Sequence, residues 1–89
     1  MPSEWTYHAS LSNYDSLIFD KAIGNPDDYT YKPIVIAKQL TNGINYRVIC
    51  IAHPKSTNGK PHFAMVAVHK PLNEAGYVTA IHPIEPFYN

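Results

Sequence analysis

The chain has 89 residues, a length that predicts one domain over residues 1–89 with a modest core and a small margin of stability. Seven basic residues balance seven acidic ones, so there is no basic stripe to follow a phosphate backbone, and no nucleic-acid partner is expected. The single cysteine, Cys50, excludes an internal disulfide and suits a reducing, cytoplasmic compartment.

Residues 1–9 are mixed in character and are predicted to be extended or loose. They lack the basic region and apolar run of a signal peptide. The longest uncharged apolar run of the chain, residues 48–52, is too short to span a membrane, so no membrane partner is expected. Trp5 and Tyr7 are large for a free tail, which favours packing on a sheet edge, with contact to a partner as the alternative.

Residues 10–24 are predicted to form a helix. Ser10 or Ser12 can cap its start, Gly24 fits the position just past its end, and Pro26 prevents continuation. Apolar residues recur at three- and four-residue spacing and are expected to face the core; they are Leu11, Tyr14, Leu17, Ile18, Ala22 and Ile23.

A hairpin is predicted around Asn42 and Gly43, because a type I′ turn needs positive φ at both central residues. The flanking runs, residues 33–41 and 44–52, are rich in Ile and Val. Pro33 indicates an edge position or a bulge at the start of the first strand. A two-residue turn pairs Gln39 with Tyr46. It also leaves four isoleucines on the face away from the helix: Ile34, Ile36, Ile49 and Ile51.

Two further strands are predicted at residues 62–69 and 77–82, joined by a second hairpin connection at residues 70–76. Pro83 and Pro86 are expected to end regular pairing, and the residues expected to close over the core are Ile84, Phe87 and Tyr88. Short connections favour an antiparallel meander. The predicted fold class is α+β, with one N-terminal helix packed on a four- to five-stranded antiparallel sheet.

The sequence predicts no enzyme, no metal site and no cofactor. Cys50 lies in mid-strand on the predicted helix-facing side, where a buried, inert thiol is expected. His62 and His69 fall on opposite faces of one strand, as do Cys50 and His53 on another. The chain also lacks a glycine-rich phosphate loop and paired carboxylates near a predicted cleft.

The stretch Gln39-Leu40-Thr41-Asn42-Gly43, followed by Ile44-Asn45-Tyr46, resembles a motif of the cystatin family, particularly its intracellular single-domain members, the stefins. Their first hairpin carries Gln-x-Val-x-Gly, commonly followed by Thr-Asn-Tyr. The positions that match in register are Gln39, Gly43, Asn45 and Tyr46. The helix and the later strands are also similar in order, so the resemblance covers roughly residues 10–83.

This resemblance implies reversible, tight-binding inhibition of a papain-like cysteine peptidase. The family fills the active-site cleft with a wedge made of an N-terminal segment and two hairpin loops. The chain departs from the family at two places. Thr41 stands where the family prefers Val, and the family's N-terminal glycine has no counterpart, because residues 1–10 contain no glycine. The residues that the resemblance assigns to peptidase binding are Gln39, Leu40, Thr41, Asn42, Gly43, Leu72 in the second loop and Trp5 in the N-terminal segment.

The alternative is a non-inhibitory interaction or oligomerisation module on the same scaffold. Its basis is the predicted patch of four isoleucines, which is unusual on the surface of a monomer. The patch can be covered by the C-terminal segment, by a second copy in a homodimer or by another partner. A domain-swapped dimer that opens the hairpin at residues 39–43 is a further form of this alternative.

Overall fold

The computed structural model describes residues 3–84, which form one α-helix and one five-stranded antiparallel sheet. The predicted α+β class is confirmed, and the number of strands is five. Within these residues no helix is long and apolar enough to cross a membrane. The strands follow the order β1-β2-β3-β4-β5 across the sheet, and the elements are β1 (Thr6–His8), α1 (Asn13–Ile23), β2 (Tyr29–Thr41), β3 (Gly43–Pro54), β4 (His62–Lys70) and β5 (Tyr77–Ile84).

Helix α1 is capped by residues predicted for its two ends, although it begins three residues later than expected. Ser12 has an extended backbone and is the N-cap, because its Oγ accepts a hydrogen bond from the Asp15 N–H at 3.1 Å. At the other end Gly24 has a φ of +63° and donates its N–H to the Asp20 carbonyl oxygen. Ser12 therefore caps the helix, and Ser10 does not.

The core lies between α1 and one face of the sheet, but the buried arc of the helix is rotated from the predicted one. Tyr14 and Leu17, expected in the core, are each 60% exposed. Phe19, outside the predicted stripe, is buried. The buried arc includes the polar residue Asp15, and a pattern of apolar residues alone cannot identify that position. The buried residues of the main cluster are Ile18, Phe19, Ile36, Tyr46, Val48, Cys50, Val66 and Val68.

The tip of the β2–β3 hairpin differs from the predicted type I′ turn. Thr41 pairs directly with Gly43, and Asn42 alone lies between the strands. Gly43 has a φ of +120°, whereas Asn42 does not have a positive φ. The tip also makes a tertiary contact that the local sequence does not contain, because a Cβ at Gly43 would overlap the carbonyl oxygen of Lys70. Gly43 is therefore required for close approach to the neighbouring strand end.

Pairing of β2 with β3 is shifted by one residue from the prediction, so Gln39 pairs with Asn45 and not with Tyr46. A shift of one residue exchanges the two faces of the strand. The predicted isoleucine patch is therefore wrong for Ile36, which is in the core. The remaining isoleucines are exposed or half-buried: Ile34, Ile49 and Ile51. The expected bulge is confirmed by a register irregularity between Pro33 and Val35.

Strand β5 continues through Pro83, which was expected to end it. Pro83 lies opposite Ala64, and β5 is an edge strand, where the missing N–H of proline is tolerated. Ile84 pairs with Phe63 and is exposed, so it does not close over the core. The other residues given this role, Phe87 and Tyr88, lie outside the described residues, as does Pro86.

Candidate functional site at one end of the sheet

Three segments meet at one end of the sheet, which we call the hairpin end: the N-terminal segment at Ser3, the β2–β3 tip (residues 40–43) and the β4–β5 loop (residues 71–76). The two hairpins touch where Gly43 lies against the backbone of Lys70 and Pro71. Both connections lie at this end because the sheet is an antiparallel meander.

The N-terminal segment is attached to the tip by hydrogen bonds on both sides of Leu40. The Leu40 N–H donates to the Ser3 Oγ at 3.0 Å, and the Ser3 Oγ donates to the Leu40 carbonyl oxygen at 3.0 Å. The Ser3 N–H also donates to that carbonyl oxygen, at 3.3 Å. Further along, Thr6 pairs with Lys38 as β1 begins. The segment therefore runs beside β2 up to the tip.

The exposed part of the hairpin end combines apolar and small polar side chains with one acidic side chain, Glu74. Thr41 and Asn42 are exposed at the tip, beside Leu40 at 62%, and Leu72 in the second loop is 71% exposed. The structure thus brings four of the predicted site residues to one end. Gly43, the fifth, is buried and supplies close packing of the two hairpins.

The other two predicted site residues, Gln39 and Trp5, turn to the open face of the sheet, away from the helix. Both are half-buried. The Trp5 ring lies over the guanidinium of Arg47, with 4.3 Å between the Arg47 Cζ and the ring centroid. This is a cation–π contact. These two side chains are therefore engaged within the protein, not presented at the exposed tip.

Gln39 belongs to a chain of hydrogen bonds that we call the open-face relay, made of Ser3, Gln39, Asn45 and His69. The Gln39 Nε2 donates to the Ser3 carbonyl oxygen at 3.2 Å, and the Asn45 Nδ2 donates to the Gln39 Oε1 at 3.1 Å. The Asn45 Oδ1 lies 2.6 Å from the His69 Nδ1. The relay follows one row of the sheet, because Gln39 pairs with Asn45 and Asn45 with His69.

On the helix-facing side, the next row carries a buried cluster of Asp15, Lys38 and Tyr46. The Lys38 Nζ lies 3.1 Å from the Asp15 Oδ2, and the Tyr46 hydroxyl donates to the Asp15 Oδ1 at 2.8 Å. Asp15 is 3% exposed. This cluster joins the helix to both strands of the first hairpin, just below the tip.

Hydrogen bonding decides the ionisation of Asp15. Burial raises the pKa of its carboxyl group, but hydrogen bonds from Tyr46, Lys38 and Ser12 outweigh burial and leave the pKa below its usual 3.8. Burial and the bond to Asp15 both raise the pKa of the Tyr46 hydroxyl. The sequence analysis missed Asp15; the available indication was an acidic residue on the same helical face as Ile18 and Ala22.

Cys50 is completely buried on the helix-facing side, as predicted, and burial raises the pKa of its thiol to about 12. The reactive thiolate is therefore disfavoured. Residues 3–84 contain no group of three or more His, Cys, Asp or Glu side chains placed to hold a metal ion.

Comparisons with known proteins add no relative to this description. No family model, no curated protein and no solved structure gives a match to this chain.

Proposed function

We propose that the protein is a reversible inhibitor of papain-like cysteine peptidases and binds through the hairpin end. The observation that carries the proposal is the meeting of the three segments at that end. Ser3 is hydrogen-bonded to Leu40, and Gly43 packs against Lys70 and Pro71. The resemblance of residues 39–46 to the stefin motif assigns these same three segments to a wedge.

The geometry suits a narrow cleft. Leu40 and Leu72 offer apolar surface, and Thr41 and Asn42 offer small polar side chains. Because both loops end ordered strands that pack on one another, little conformational entropy is lost on binding. Affinity then arises from apolar burial and shape complementarity of preformed loops. The cleft is blocked without a scissile bond being placed for attack.

The direct test is a titration of papain activity with the purified protein, with its mass measured in parallel by light scattering. We expect inhibition by the monomer, with an inhibition constant in the nanomolar to low micromolar range, about −12 to −8 kcal/mol of binding free energy. A folded chain that leaves papain fully active contradicts the proposal.

A variant locates the binding surface. Leu72→Glu places a charge in the proposed apolar contact and should weaken inhibition at least tenfold, about 1.4 kcal/mol. Phe63→Glu is the matched control, because Phe63 is an exposed apolar residue near the opposite end of the sheet. If the two substitutions weaken inhibition equally, Leu72 is not part of the interface. Gly43→Arg is a poor test, because its side chain would collide with the backbone at Lys70.

A second candidate, a non-inhibitory module that self-associates, is favoured by one row of the open face. Ile51, Phe63 and Ile84 are neighbours on adjacent strands, and Phe63 and Ile84 remain 52% and 40% exposed. Self-association would bury this apolar surface. Light scattering distinguishes the two functions, since this candidate predicts a dimer that Phe63→Glu dissociates and Leu72→Glu leaves intact.

A further inference from the structure

The direction of the open-face relay is fixed by its first member. The Ser3 carbonyl can only accept, so the Gln39 amide nitrogen must face it and the Gln39 oxygen must face Asn45. The Asn45 Nδ2 then donates a hydrogen bond to Gln39, and the Asn45 Oδ1 faces His69. The His69 Nδ1 must consequently carry a proton, because two acceptors cannot form a hydrogen bond. The donor and acceptor atoms of Gln39, Asn45 and His69 therefore have a single arrangement in the relay.

We propose that Gln39 is a positioning residue, whose amide holds the N-terminal segment beside the hairpin tip instead of contacting the peptidase. The link to inhibition rests on the proposed function; the structural role does not. Both ends of the Gln39 amide are occupied within the protein, by Ser3 and by Asn45. The side chain is half-buried on the open face, whereas the exposed binding residues lie at the tip.

The role of Gln39 depends on how strongly Ser3 is attached to β2. The segment before β1 is held to β2 by the Ser3–Leu40 bonds, which are exposed to water and therefore individually weak. Gln39 adds a bond to the carbonyl of the same residue, from a side chain that Asn45 already orients. A segment fixed in this way loses less entropy when a partner binds.

The first test follows Trp5, the protein's single tryptophan, which lies in the attached segment. Gln39→Glu keeps the acceptor for Asn45 but replaces the donor to Ser3 by an oxygen that repels its carbonyl. We expect acrylamide to quench the fluorescence of Trp5 more strongly, with a quenching constant that moves towards that of the urea-unfolded chain. Gln39→Met, which lacks both bonds and adds no charge, should do the same.

The matched control is Thr79→Glu, which adds the same charge beside the depression lined by Trp5, Gln39 and Arg47 but makes no relay bond. Its quenching constant should equal that of the unsubstituted protein. All variants are compared under conditions where circular dichroism shows a folded chain. If Gln39→Glu and Gln39→Met leave Trp5 as protected as it is in the unsubstituted protein, the proposal is overturned.

The second test separates positioning from direct contact. Gln39→Glu should weaken papain inhibition about fivefold in the full chain, the factor expected from one ordinary hydrogen bond. In a chain that lacks residues 1–4 it should change inhibition by less than about twofold, because the segment it holds is gone. Equal losses in both backgrounds would make Gln39 a contact residue. If the full chain does not inhibit papain, the proposed function fails, and the quenching measurements still decide the positioning role.

Discussion

Two polar groups of residues lie on adjacent rows of the sheet, on its opposite faces. On the helix-facing side, the paired residues Lys38 and Tyr46 bind the buried carboxylate of Asp15. On the open side, the next pair, Gln39 and Asn45, forms the middle of the open-face relay. The first group pairs a buried carboxylate with an ammonium, whereas the second contains no carboxylate and is partly exposed to water.

The difference in burial gives the two groups different roles. A buried carboxylate that loses its partners remains desolvated, so each partner of Asp15 is strongly coupled to folding. A partly exposed amide that loses a partner can bind water, so the relay contributes little to global stability. We infer that the buried cluster fixes the helix to the first hairpin, whereas the relay orders a segment that is free to separate without unfolding the domain.

The largest expected effect is a loss of folding stability when the Asp15 carboxylate is removed. Asp15→Ala leaves the Tyr46 hydroxyl buried without its acceptor and the Lys38 ammonium without its counterion. The free energy of unfolding, measured with urea, should fall by about 3 kcal/mol, near the lower limit for a broken buried pair because Lys38 is partly exposed. Asp20→Ala, at an exposed position of the same helix, should change it by less than about 0.5 kcal/mol. Similar losses from the two substitutions would contradict a special role for Asp15.

The second effect is a dependence of stability on pH. The pKa of Asp15 is lower in the folded protein than the ordinary value of 3.8, so the folded state favours the carboxylate. Its contribution is fully present above that value and is lost as the pH falls through the folded pKa. The stability difference between the unsubstituted protein and Asp15→Asn should therefore be constant above about pH 5 and shrink below it. A difference that grows on acidification would mean that burial dominates and the pKa is raised.

The sequence predicted the α+β class, a cap at Ser10 or Ser12, the Gly24 cap, an edge position or bulge at Pro33 and the buried Cys50, because these features depend on local chemistry or on strong apolar patterning. It failed at the tip, where the Asn42-Gly43 turn was taken to set the register. In the actual tip Gly43 packs against the backbone of Lys70, which lies 27 positions later in the chain. No local pattern contains such a contact.

The candidate site illustrates the same limit. Four of its predicted residues, the exposed ones from Leu40 to Asn42 and Leu72, depend only on lying in or next to a hairpin turn, and the structure places them at one end. Gln39 depends on which face of a strand it occupies, and the one-residue shift turned it to the open face. Trp5 lies just before β1 and contacts Arg47 on β3, a contact distant in sequence that no local pattern indicates. The same shift turned Lys38 towards Asp15, so the sequence predicted neither the buried cluster nor the open-face relay.

A smaller effect is expected at the middle of the relay. Asn45→Ala removes the donor to Gln39 and the acceptor of His69, but it leaves the direct bond from Gln39 to Ser3 in place. Stability to urea should fall by less than about 1 kcal/mol, because water can replace both partners at this partly exposed position. Quenching of Trp5 by acrylamide should rise less than in Gln39→Glu, since Asn45 acts on the segment only by orienting Gln39.

His69→Phe provides the next step along the same row, because it removes the last donor and leaves both earlier bonds intact. The protection of Trp5 should therefore increase in the order Gln39→Glu, Asn45→Ala, His69→Phe. Such an order reflects distance from Ser3 along the relay, whereas general loosening of the sheet would follow the loss of urea stability instead. If Trp5 protection follows urea stability across the three variants, the relay has no role separate from folding, and the distinction between the two faces fails.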